Sequence, residues 1–168
     1  MNVHAFHTFS LGLINVHKAI HYKTVVTPGE LLLNDTAYFK PKHVIKVQNT
    51  SSKLQTYKIS HVPAGTAKTL ANNEAIPAPV PLSKDYAKVT FSASTLTVAP
   101  GSIGSFIATV TPPPGLDPAT FPVYTGFVKV TSADEELSVS YLGVAATMKN
   151  MKILDTSSYC KCLPGPVG

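Results

Sequence analysis

Apolar and polar side chains alternate one for one through most of this chain, and that alternation confines it to half-buried β-strands. In Gln55 to His61, the residues Gln55, Tyr57, Ile59 and His61 share one face, with Thr56, Lys58 and Ser60 on the other. Ala87, Val89 and Phe91 repeat the pattern, as do Phe106, Ala108 and Val110, Leu96 with Val98, and Leu137, Val139 and Tyr141. The 14 prolines among 168 residues cut these runs short and leave little room for long helices. Strands are expected at Leu31–Leu33, Val44–Gln48, Leu54–His61, Tyr86–Ser92, Leu96–Ala99, Ser105–Thr111, Val123–Thr131 and Leu137–Tyr141. Asn49-Thr50-Ser51-Ser52 reads as a hairpin connection, and Pro100-Gly101 as a type II turn closing another. Val62 to Asp85 and Pro112 to Pro122 read as long proline-bearing loops. Eight short strands with this punctuation point to an all-β fold, an immunoglobulin-like antiparallel β-sandwich. Only the beginning departs from the pattern. Leu13, Val16, Ala19 and Ile20 within Leu11–His21 are spaced as on a helix, so a short N-terminal helix is expected. The tail after Asp155 is small, polar and rich in Pro and Gly, and is expected to be disordered. The resulting division is residues 1–23, a sandwich over 24–155, and a tail over 156–168.

Charge and motif content narrow the function classes. Charged residues are 14% and apolar ones 44%, which excludes wholesale disorder. The net charge is +5, but all fourteen basic residues are lysines, spread singly, with no arginine for bidentate contacts to phosphate or guanine. Nucleic acid is therefore not an expected partner. No apolar run approaches the ~18–20 residues that cross a bilayer, so no transmembrane segment is expected. Met1 to Ser10 lacks the basic start and apolar core of a secretory leader. Cys160 and Cys162 form a C-x-C pair, half of a zinc site. His17 and His21 lie i, i+4 without a third ligand, so neither metal nor cofactor is expected. Gly101-Ser102-Ile103-Gly104 lacks the spacing of a nucleophile elbow, and His61, mid-strand on an apolar face, reads as a core-edge residue rather than a base. Asp134-Glu135-Glu136 reads as a solvated hairpin tip. No catalytic residues are assigned. Asn34 and Asn49 head N-x-[ST] triplets and are candidate glycosylation sites.

Four segments occur in order: Gly29 to Asp35 (GELLLND), Tyr57 to Ala67 (YKISHVPAGTA), Phe121 to Phe127 (FPVYTGF) and Leu137 to Val144 (LSVSYLGV). Together they resemble the fibronectin type III-like domain that follows the catalytic domain of large extracellular subtilisin-like serine proteases. Gly12 to Ile20 (GLINVHKAI) further resembles the last helix of such a catalytic domain. The resemblance implies a chain that begins at the very end of a protease domain, as a remnant over residues 1–23. Its G-T-S-x-A nucleophile motif is absent, so this chain alone is expected to have no peptidase activity. The resemblance also implies a secreted or cell-envelope parent protein, an intramolecular partner in its catalytic domain, and a role in positioning protein substrate. Leu70, Ile76, Val80, Leu82, Leu116 and Phe121, in the two long loops, are candidate interface residues; otherwise they plug the ends of the sandwich. The alternative reading is a stand-alone extracellular adhesion or carbohydrate-binding sandwich, which the absence of tryptophan disfavours.

Overall fold

The computed structural model describes residues 15–151, apart from 73 and 78. A one-turn helix, α1 (Val16–His21), leads into twelve strands: β1 (Thr24–Thr27), β2 (Glu30–Asn34), β3 (Lys42–Asn49), β4 (Gln55–Ala67), β5 (Leu70–Ala71), β6 (Glu74–Ala75), β7 (Leu82–Ser83), β8 (Lys88–Phe91), β9 (Thr95–Val98), β10 (Ile103–Thr111), β11 (Val123–Thr131) and β12 (Glu136–Val144). Asn15 starts α1, its side-chain oxygen accepting from the Lys18 N–H at 3.0 Å. His4, His7, Leu13, Cys160, Cys162 and the expected tail fall outside the described residues.

Two sheets pack face to face, as the alternation requires. One runs β1-β3-β10-β8, antiparallel throughout. The other runs β2-β12-β11-β4-β7, with β9 also on β4, and β2 lies parallel to β12. The core is the inner face of each: Ile45, Val47, Phe106, Ala108 and Val110 from the first, and Leu31, Leu33, Tyr57, Ile59, Val128, Val130 and Val139 from the second. Phe91 meets Phe106 edge to face, with centroids 6.0 Å apart.

Three expectations about connectivity are corrected. The segment 50–54 and the Pro100-Gly101 turn do not close hairpins: β3 and β4 lie in opposite sheets, and so do β9 and β10. The turn itself is as expected, with Gly101 at φ +67° and the Ser102 N–H donating to the Ala99 carbonyl at 3.1 Å. It carries the chain across the core rather than back along one sheet. Val62–Asp85 is not one loop either. Strand β4 continues through Pro63 to Ala67, and β5, β6 and β7 follow. A proline is tolerated where a strand is bulged or has a free edge. At Pro63, β4 has both: its register against β11 shifts between Thr125 and Gly126, and beyond Lys58 strand β9 no longer pairs with it until β7 joins at Thr66.

Candidate functional site

The two motifs Tyr124-Thr125-Gly126 and Tyr141-Leu142-Gly143 face each other across the β11–β12 ladder. Tyr124 pairs with Gly143 and Gly126 with Tyr141. Each tyrosine ring lies over the opposite glycine, so closely that a Cβ there would collide with the ring. The glycines provide the space and the tyrosines fill it, an aromatic-over-glycine arrangement that fixes register. Both tyrosines are about 1% exposed. Burial pushes the Tyr124 phenol up to about 12, and its hydroxyl has no hydrogen-bond partner among the described residues. The Tyr141 phenol is raised too, by burial first and by Tyr124 second. The Thr125 hydroxyl locks the pair by donating to the Tyr141 carbonyl at 2.8 Å.

His61 completes this cluster. Its Nε2 lies 2.8 Å from the Tyr141 hydroxyl, and the ring centroids are 5.7 Å apart. The partner is the buried Tyr141 phenol, so the imidazole is tied into the packed cluster of the β11–β12 ladder. Burial lowers its pKa below the ordinary 6.5. A histidine with a depressed folded-state pKa binds more protons when unfolded, so the fold should weaken as pH falls below 6.5 toward the folded value. Thermal unfolding between pH 7.5 and 5 should show this fall, and a His61→Gln variant should show less of it. An equal pH slope in both would remove His61 as its source.

Other expected residues are placed as follows. Asn34 is exposed, at φ +62°, and donates to the Tyr38 carbonyl at 3.2 Å. Asn49 is fully buried, and Nδ2 donates to the carbonyls of Lys53 (2.8 Å) and Val98 (3.0 Å). Leu70 is buried, and Ile76, Val80, Leu82, Leu116 and Phe121 are half-buried. The Thr69 hydroxyl donates to the Phe121 carbonyl and the Thr69 N–H to the Thr120 carbonyl, tying the two loops together over one end of the sandwich. The acidic tip is less solvated than expected. Glu135 is half-buried and accepts from the Lys23 N–H at 2.6 Å. Glu136 pairs with Lys129 at 2.5 Å, which holds its carboxyl below the usual range. The His17 and His21 ring centroids lie 4.3 Å apart, with the rings tilted by 44°. Among the described residues no three potential metal ligands converge.

What remains is surface. On the outer face of the second sheet, Leu32, Tyr38, Leu142, Val144 and Met148 line an open groove of about 540 Å³ with Asn34, Asp35 and Lys149. Asp35 shapes its wall, accepting from the N–H groups of Tyr38 (3.0 Å) and Met148 (2.9 Å). The run Leu31-Leu32-Leu33 signalled this groove, since three consecutive leucines in a strand must turn one outward. At the N-terminus α1 has no buried residue; Val16 is 63% and Ile20 67% exposed.

A family model described as "Fn3-like domain" matches residues 31–142, well over half the chain. The chain belongs to the Fn3-like domain family. Fn3-like domains are typically non-catalytic. No curated protein matches the chain. Among solved structures, this Fn3-like domain is similar to the ASH/PapD-like domain 7 of human CEP192, at 14% identity and a TM-score of 0.50 over 73% of this chain and 84% of that one. It is also similar to the Pseudomonas aeruginosa CupB2 chaperone (9% identity, TM-score 0.46, 75% of this chain and 57% of that one). A third is the C. elegans MSP family member WR4 (12% identity, TM-score 0.40, 75% and 100%). At 14% identity the likeness to the CEP192 domain concerns the fold alone.

Proposed function

We propose that this Fn3-like domain is the non-catalytic accessory domain of an extracellular or cell-envelope subtilisin-like serine protease. It packs on the catalytic domain, adds to its stability and helps position protein substrate. The observation that carries this reading is the uncovered apolar face of α1. Its sequence resembles the final helix of a subtilase catalytic domain, and Val16 and Ile20 are 63% and 67% exposed on a helix with no buried residue. Exposed aliphatic residues on one turn of a helix too short to persist alone are best explained by a neighbour that covers them. Chemistry belongs to that neighbour, because His61 is engaged by Tyr141 and no serine–histidine pair is present among the described residues.

The test adds the chain to a secreted subtilase catalytic domain cut before its last helix and deprived of its own accessory domain. A complex on gel filtration and a severalfold longer half-life of peptidase activity on heating are expected. Val16→Asp with Ile20→Asp should abolish both. The chain alone should not be labelled by a fluorophosphonate probe. Absence of any complex, with inactivation unchanged, would remove the reading.

A further inference from the structure

The outward face of the β1-β3-β10-β8 sheet carries only one sign of charge. The registers place its outward residues in rows: Val25, Gln48 and Ile103; Thr27, Lys46 and Ser105; Val44 and Ile107; Lys42, Thr109 and Thr90; Thr111 and Lys88. Four of these are exposed aliphatics: Val25 at 48%, Val44 at 54%, Ile103 at 60% and Ile107 at 42%. Three are lysines, all exposed, and the rest are Thr, Ser and Gln. None of the nine acidic residues of the chain lies in these four strands. On the β1 side, Glu136 borders a groove with Val25 and is paired with Lys129, and Glu135 accepts from the Lys23 N–H.

We infer that this face binds an anionic lipid surface peripherally, its aliphatic rows entering the headgroup layer and Lys42, Lys46 and Lys88 meeting the lipid charges. A second copy of the chain is a poor occupant, since it would set lysines against lysines. A protein partner fits less well than a bilayer. The outward residues include no Trp, Tyr or Arg, the residues on which protein hot spots are built, and Lys is depleted from interface cores. The hollow between Lys42, Phe91 and Ile107 on this face is shallow, about 270 Å³, too little for a shape-complementary anchor site. A bilayer surface needs neither feature. It needs point charges on flexible stems, which lysine supplies, and aliphatic groups standing among them. The inference is independent of the protease reading, because it rests on this sheet face and not on α1.

Sedimentation of the full chain with sucrose-loaded vesicles tests it. The chain should partition onto vesicles of 30% phosphatidylserine in phosphatidylcholine at 50 mM salt, and onto pure phosphatidylcholine far more weakly. Each lysine near the surface is worth about fivefold in partitioning, so Lys42→Gln, Lys46→Gln and Lys88→Gln together should lower it roughly a hundredfold. Ile103→Ser with Ile107→Ser should lower it about tenfold at low and high salt alike. The lysine changes lie on exposed side chains, so they keep the test valid if the isoleucine variant unfolds. No partitioning at millimolar lipid, or partitioning indifferent to the lysine changes, overturns the inference. Lysine-dependent binding of soluble polyglutamate without vesicle binding also overturns it, in favour of an acidic polypeptide.

Discussion

Gly126→Ala and Gly143→Ala are each expected to cost the fold about 3 kcal/mol, the upper part of the range for overpacking a filled core. At Gly126 a Cβ would overlap the Tyr141 hydroxyl and stand 2.7 Å from Cζ and 2.8 Å from Cε1. At Gly143 it would overlap the end of the Tyr124 ring and stand 2.8 Å from Cε2. Neither ring can yield cheaply. Tyr141 is held by His61 and by a fully packed surround, and Tyr124 is buried between the same two strands. Gly29→Ala serves as the control, because nothing lies within 4 Å of its added Cβ and its φ needs no glycine; it should change stability by less than about 0.5 kcal/mol. Urea unfolding would report all three. A double-mutant cycle should show that Tyr124→Leu recovers much of the Gly143→Ala loss, since the two positions touch and their effects cannot add. Native midpoints for both glycine variants would mean that the ladder does not set the packing. The same collision explains why both Y-x-G triplets occur in this sequence: each needs the other.

The strands were legible because burial leaves a period of two wherever one face is wet. β11 begins and ends where the alternation does, and β2, β3, β10 and β12 differ from their expected bounds only at the ends. Which sheet a strand joins was not legible. Val44–Gln48 and Leu54–His61 both alternate, and nothing in either says that the few residues between them cross the core instead of folding back. Two-residue strands such as β5 and β6 leave no period to read, and β1 is four residues long with an exposed Val25. Pro63 ended the expected strand because a proline usually does; the bulge that excuses it appears only once β11 is alongside. Surface is the least legible part of a sequence. The exposure of the six loop residues depends on loops tied to one another through Thr69, which sequence proximity does not show. The sheet face with Lys42, Val44 and Lys46 in alternation was written in the chain, but it needed the register with Ile103 and Ile107 to become a face.

Asn49→Ala should be the most damaging single polar substitution, costing about 3 kcal/mol or more, because it strips partners from a carbonyl in each of two neighbouring segments. The Asn49 amide is wholly buried where β3 ends. Nδ2 donates across the sandwich to Val98 at the end of β9 and to Lys53 in the connection, while Oδ1 accepts from the Ser51 N–H at 3.0 Å and from its hydroxyl at 2.7 Å. One side chain thereby clamps the first sheet, the crossing segment and the second sheet. The Asn-Thr-Ser triplet that reads as a glycan acceptor is thus used internally, with the serine satisfying the asparagine oxygen. Asn49→Asp separates this clamp from mere volume. The aspartate keeps the acceptor toward Ser51, but when ionised it sets a buried carboxylate against two carbonyl oxygens. Its folded-state pKa must then lie above the ordinary ~3.9, and the stability it contributes when protonated is lost as pH rises through that value. The gap between Asn49→Asp and the native chain should therefore narrow from pH 7 toward pH 4, whereas the Asn49→Ala gap should stay constant. Chemical denaturation at the two pH values would decide: parallel gaps would mean that the clamp contributes shape alone, without its hydrogen bonds.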